Sequence, residues 1–76
     1  MTSAQVRAAR GLLNLTVRDL AELAGVHRNT ITNIETGRYA GDPSTLATIQ
    51  AALENAGVEF ISQNGGGPGV RLRDPT

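Results

Sequence analysis

Six side chains of moderate length, His27, Arg28, Asn29, Thr30, Thr32 and Asn33, occupy seven consecutive positions interrupted only by Ile31. All of them donate or accept hydrogen bonds, and the stretch lacks the Glu and Lys that normally fill a solvated helix surface. Such a face suits hydrogen-bonded recognition of a polar surface. Bond-making chemistry is not expected, because no carboxylate or nucleophile is spaced to work with His27, the single histidine. With no cysteine and one histidine the chain also lacks a ligand set for zinc, and no cofactor is expected. The run Gly65-Gly66-Gly67-Pro68-Gly69 lacks the Lys-Ser/Thr ending and following helix of a phosphate loop, so it reads as a hairpin tip. Tyr39 and Phe60 are the only aromatic residues, too few for a base-stacking platform.

Composition narrows the setting. Seventy-six residues make one small domain with a modest buried core, and without disulfides or metal the remaining source of added stability is oligomerisation. The apolar runs are only a few residues long, and Met1 to Gln5 lacks the basic start and apolar core of a signal peptide, so a cytoplasmic protein with no membrane contact is expected. Seven arginines balance seven acidic residues. The balance is uneven along the chain: residues 1–38 hold five arginines against Asp19, Glu22 and Glu35, net +2, residues 39–60 hold Asp42, Glu54 and Glu59, net −3, and Arg71, Arg73 and Asp74 add +1. A basic half beside an acidic one can orient the molecule on a polyanion, although non-specific phosphate attraction should be weak.

The elements that carry the polar face follow from caps and apolar spacing. A first helix is expected over 3–13, with Thr2 or Ser3 as N-cap, Gln5 completing a capping box, and Val6, Ala9, Leu12 and Leu13 on one face. Arg7 and Arg10 flank that face, Arg7 as solvated surface, and Asn14 suits a left-handed cap. Thr16 and Asp19 form a second capping box ahead of a helix over 17–24, which buries Leu20, Ala21 and Ala24 and pairs Arg18 with Glu22. Gly25 ends it and Val26 folds back as a plug. A third helix runs from His27 or Arg28 to Thr36, burying Ile31 and Ile34, and Gly37 leads into a loop over 38–41. Helices joined this tightly must cross steeply, the helix-turn-helix geometry in which the second helix projects toward a DNA groove.

Asp42-Pro43 starts a fourth helix to Asn55 or Ala56, with Leu46, Ile49 and Leu53 inward. After Gly57 the period changes, and Val58–Ile61 and Val70–Arg73 read as a β-hairpin. A lone hairpin is marginal in water, so it should pack on the helical body or on the same hairpin of a second subunit. For a homodimer, Val58, Phe60, Ile61, Val70 and Leu72 are the expected interface residues. The expected fold is mainly α, a compact four-helix helix-turn-helix domain over 1–57 with a short C-terminal β-hairpin or tail over 58–76.

Several residues together give a family resemblance: Arg7, Arg10, Leu15-Thr16, Leu20-Ala21, Gly25-Val26, Thr30-Ile31, Ile34-Glu35, Gly37-Arg38, Pro43 and Leu46. Over residues 5 to 56 the chain resembles the phage-repressor-type (XRE-type, lambda-repressor-like) helix-turn-helix family, and its Gly-rich C-terminal stretch is similar to a tail of small bacterial members. The resemblance implies a transcriptional regulator that reads double-stranded DNA with helix three. It places His27, Arg28, Asn29 and Thr30 at base edges and phosphates, Thr32 and Asn33 further along the groove, and Arg38 on phosphate. Arg28 and Asn29 lead as sequence readers, since Arg bonds guanine and Asn bonds adenine in a bidentate manner. It also implies an ion pair between Arg10 and Glu35. Two positions depart from the family pattern: Val17 stands where Gln is common, and His27 where a small cap is usual. Arg18 or the backbone N–H groups of helix two would then have to supply the phosphate anchor, and Thr16 is counted among the expected DNA contacts. Zero net charge and Val17 also motivate a second class of function, a scaffold that binds and restrains another regulator as an antiactivator.

Overall fold

Each helix begins where a capping side chain meets its first turn. In the computed structural model, which describes residues 1–38, 42–63 and 65–74, the chain forms four helices and two strands. They are α1 (Ser3–Leu12), α2 (Val17–Ala24), α3 (Arg28–Glu35), α4 (Pro43–Asn55), β1 (Val58–Ile61) and β2 (Gly69–Leu72). The expected loop around 39–41 lies outside the described residues. Thr2 and Gln5 close a reciprocal box at α1, Gln5 N–H donating to the Thr2 hydroxyl at 3.1 Å and Thr2 N–H to Gln5 Oε1 at 2.8 Å. Thr16 and Asp19 repeat it at α2, with both bonds at 3.0 Å. At α4, Asp42 accepts from Thr45 N–H at 2.8 Å and Pro43 fills the first turn. Each such cap contributes on the order of 1 kcal/mol.

The helix ends are equally regular. Leu15 N–H returns to Arg10 O at 3.0 Å, Val26 N–H to Ala21 O at 3.0 Å and Arg38 N–H to Asn33 O at 2.9 Å. These are Schellman closures, and each needs a left-handed residue just past the helix. Asn14 (φ 55°), Gly25 (φ 69°) and Gly37 (φ 76°) supply it.

The Asp19 box carries a pH signature. Hydrogen bonds from the Thr16 backbone N–H and then its hydroxyl, helped by Arg18, hold the Asp19 carboxyl below its ordinary range. A depressed folded value means that the stabilisation is complete above the unfolded carboxylate pKa and is lost as pH falls through the folded one. Asp19→Asn should therefore lose less stability than the parent chain on acidification from neutral pH. Urea midpoints measured down to strongly acidic pH check this, and parallel losses in the two proteins would refute it.

The core draws on every helix and on the hairpin: Val6 and Ala9 from α1, Leu20 and Ala21 from α2, Ile31 and Ile34 from α3, Ile49 and Leu53 from α4, and Val58 from β1. Leu13 packs against it, whereas Leu12, expected on the same face, is 40% exposed. Positions 6, 9 and 13 share one stripe at helical spacing, and 12 falls off it. Leu46 reaches the core but stays half-buried.

β1 and β2 pair antiparallel with Val58 opposite Leu72 and Ile61 opposite Gly69, so β2 begins one residue before the alternating pattern predicts. The hairpin packs on the body. Gln5, 6% exposed, donates its amide to the carbonyls of Ile61 (3.2 Å) and Gly69 (2.9 Å), binding both strands to α1 with the side chain that also caps it. Arg73 donates to Glu54 O at 2.6 Å at the end of α4, and Arg71 meets Glu59 across the strands at 2.5 Å. Val58 is completely buried within the chain, which corrects its expected place at a subunit interface: it lies in the core cluster with side chains of all four helices and leaves no surface for a partner. Phe60, Val70 and Leu72 pack half-buried against the core, and Ile61 is 36% exposed. Among the described residues no helix is long and apolar enough to cross a membrane.

Candidate nucleic-acid interface

α2 and α3 are joined by only Gly25, Val26 and His27. The Schellman turn at Gly25 reverses the chain, and Val26 folds onto the core. His27 then opens α3: its Nδ1 accepts from Asn29 N–H at 3.1 Å, so that ring nitrogen carries no proton and Nε2–H is left as an outward donor. The position expected to contact DNA is thus also the cap of the helix that would read it.

On α3 the residues Arg28, Asn29 and Thr32 are exposed, and Thr30 and Asn33 are half-buried. Ile31, Ile34 and Glu35 form the opposite, buried face. Beside the start of α3 lies an open concavity of about 570 Å³, bounded by Arg18 and Glu22 of α2, the Gly25-Val26 turn, His27 and Arg28. Arg18 and Glu22 are paired at 3.4 Å, with side chains 76% and 69% exposed. A contact so open to water holds little energy, so Arg18 can exchange Glu22 for an anion at small cost. Thr16 caps α2 at its exposed start. Among the described residues no hydrogen bond engages the Val17 or Arg18 N–H, which leaves two first-turn donors at the positive end of a helix. Val17 itself packs against the core and offers no side-chain donor. Arg38 is exposed just past α3, with its own N–H closing the helix.

What seats α3 is α1. Ser3 Oγ donates to Ile34 O at 2.6 Å, Arg7 Nη1 donates to Glu35 O, and Arg10 grips the Glu35 carboxylate with Nε at 2.9 Å and Nη2 at 3.0 Å. Arg10 Nη1 also donates to Leu15 O at 3.0 Å, tying in the link to α2. The bond to Glu35 raises the Arg10 pKa still further, so the guanidinium stays charged. Arg7 is exposed, as expected of it, and its contact with α3 is an addition that the expectation lacked. Its guanidinium occupies a carbonyl at the end of α3 that the helix itself leaves unsatisfied. Positions 3, 7 and 10 lie on one helical stripe, and that spacing was the available signal for a shared acceptor.

The comparison with known families agrees with this geometry: a helix-turn-helix family profile matches residues 6–59, from α1 into β1. The chain belongs to the XRE-type helix-turn-helix family. Its match covers the capped α2, the turn and α3 together, and it makes the protein a DNA-binding type of regulator in general terms. No curated protein matches the chain. Of the residues expected at DNA, Thr16, Arg18, His27, Arg28, Asn29, Thr32 and Arg38 are on exposed surface.

Proposed function

We propose that this XRE-type protein is a sequence-specific regulator of transcription that works in the cytoplasm as a homodimer, each subunit laying α3 in the major groove of double-stranded DNA. The observation that carries the reading is the exposed row Arg28, Asn29 and Thr32 on a helix whose other face is locked into the core. Arg28 and Asn29 would read bases. His27, Thr30 and Asn33 would support them at the groove wall, and Thr16, Arg18 and Arg38 would hold phosphates. A two-fold dimer would meet half-sites about one helical turn, ~34 Å, apart.

Titration against DNA from the protein's own promoter region at several salt concentrations tests this, and loss of sequence-specific retention even at low salt would overturn it. Arg28→Ala should cost about 1–3 kcal/mol and relax specificity at one position of the site. Arg38→Ala should weaken all sequences alike and lower the salt slope by about one. An unaltered preference profile for Arg28→Ala would refute its role as a reader.

A second reading, a scaffold that restrains another regulator by direct contact, is favoured by Val17, which packs inward where a phosphate donor is common. A pull-down in which every captured partner disappears on DNase treatment would count against it.

A further inference from the structure

The outer edge of β2 is open, and its parity can be fixed. The register continues from Val58–Leu72 to Gly57–Arg73, where Arg73 N–H donates to Gly57 O at 2.7 Å. Hydrogen-bonded and non-hydrogen-bonded pairs alternate along an antiparallel ladder, so Glu59–Arg71 and Ile61–Gly69 are bonded pairs. Val70 and Leu72 therefore point their N–H and C=O groups away from β1. Among the described residues no hydrogen bond reaches those groups from outside the hairpin. Exposed edges are usually blunted by charged side chains, bulges or proline; here Pro68 stands before the strand, and Arg71, the one charge within it, is engaged by Glu59 of β1.

Beside this edge runs a mainly apolar groove of about 180 Å³ between α1, at Ala4 and Ala8, and the Pro68–Val70 segment. Ala4 and Ala8 are exposed, one helical turn apart, and small enough to let another strand approach. Gly69 is a further opening. It has no left-handed φ, and a Cβ built there would meet only Ile61 Cδ1 at an ordinary 3.9 Å, so nothing within one chain demands glycine.

We infer that β2 pairs antiparallel with β2 of a second copy across a two-fold axis at Val70, giving a four-stranded sheet ordered β1-β2-β2-β1. The inference deepens the dimeric part of the proposed function and rests on it. Charge selects the register. Outward-facing groups meet outward-facing groups only if the axis passes through Val70, Arg71 or Leu72. An axis at Arg71 sets the two Arg71 side chains opposite each other, and one at Leu72 sets Arg71 against Arg73 of the second copy, both like-charge contacts. With the axis at Val70, Arg71 lies opposite Gly69 of the second copy, where no like charge meets it and its head stays with Glu59. The Val70 residues exchange both backbone bonds, and each Leu72 N–H donates to the carbonyl of Pro68, which needs no N–H for this. The Val70 side chain of each copy enters the groove over Ala4 and Ala8 of the other, and the edge is closed symmetrically rather than propagated.

Sedimentation of the full chain over a wide concentration range, with amide exchange read at Val70 and Leu72, tests this. A dimer is expected whose formation slows exchange of those two amides by at least about tenfold. Val70→Pro removes an N–H that β1 does not use, so it should keep the hairpin and weaken dimerisation by at least about tenfold, ~1.4 kcal/mol. Should that variant unfold, Ala8→Glu, at an exposed helical position in the groove, decides instead with the same expected loss. A dimer whose Val70 and Leu72 amides exchange as fast as in the monomer, and which Ala8→Glu leaves intact, overturns the edge pairing alone. A chain that stays monomeric at every concentration overturns the dimeric reading with it, and the promoter titration reports DNA binding separately.

Discussion

Arg10→Met should destabilise the domain by about 3–5 kcal/mol, the largest effect expected from any single side chain of the interface scaffold. The Glu35 side chain is only 6% exposed, and Arg10 supplies both bonds to its carboxylate. Removing the guanidinium leaves a buried negative charge with no compensating partner, whose desolvation cost is then borne in full. A core of this size supplies roughly 3–5 kcal/mol in total, so the variant should be largely unfolded at 25 °C. The double variant Arg10→Met, Glu35→Leu should recover most of the loss, because an apolar pair of similar volume avoids the desolvation. Urea denaturation followed by far-UV circular dichroism measures both. A single variant costing under about 1 kcal/mol would show that Glu35 is far better solvated than its burial implies.

Ile31→Ala should cost about 2–5 kcal/mol, and Ile31→Val only about 0.5–1.5 kcal/mol. Ile31 is fully buried in the middle of α3. An isolated helix of this length does not persist in water, so α3 exists because Ile31 and Ile34 fasten it to the core and α1 occupies its last carbonyls. Truncation leaves a cavity at the point of attachment. DNA retention should then fall in step with helicity, since the reading side chains have no defined geometry once α3 detaches. If Ile31→Ala left the midpoint of unfolding within about 1 kcal/mol of the parent, the central role given to this contact would be wrong.

Much of this architecture was legible in the chain because it rests on local signals. The boxes Thr2/Gln5 and Thr16/Asp19, the Asp42-Pro43 start and the left-handed residues Asn14, Gly25 and Gly37 each specify backbone within a few positions of themselves, and each is found in place. The apolar spacing that put Leu20, Ile31, Ile49 and Leu53 in the core held for the same reason. Leu12 and Val58 came out differently, and Arg7, exposed as expected, gained a contact that was not foreseen. Leu12 sits at the last turn of α1, where a small phase difference decides which of two neighbouring leucines faces inward. The role of Arg7 depends on a carbonyl 28 residues away. The place of Val58 depends on where the end of α4 delivers the chain.

Gln5 shows the same division within one residue. Its Oε1 bond to Thr2 follows from a spacing of three, whereas its Nε2 bonds reach carbonyls 56 and 64 residues away. By itself the sequence determined the four helices, the crossing of α2 and α3, and the polar row from His27 to Asn33, because caps, glycines and apolar periods act over a single turn. Tertiary structure alone decided that α1 seats α3, that the hairpin is clasped to the body, and that one edge of β2 is left unpaired among the described residues. Those outcomes rest on carbonyls, and a backbone carbonyl is the same group at every residue, so which side chain meets it is settled only when the elements pack.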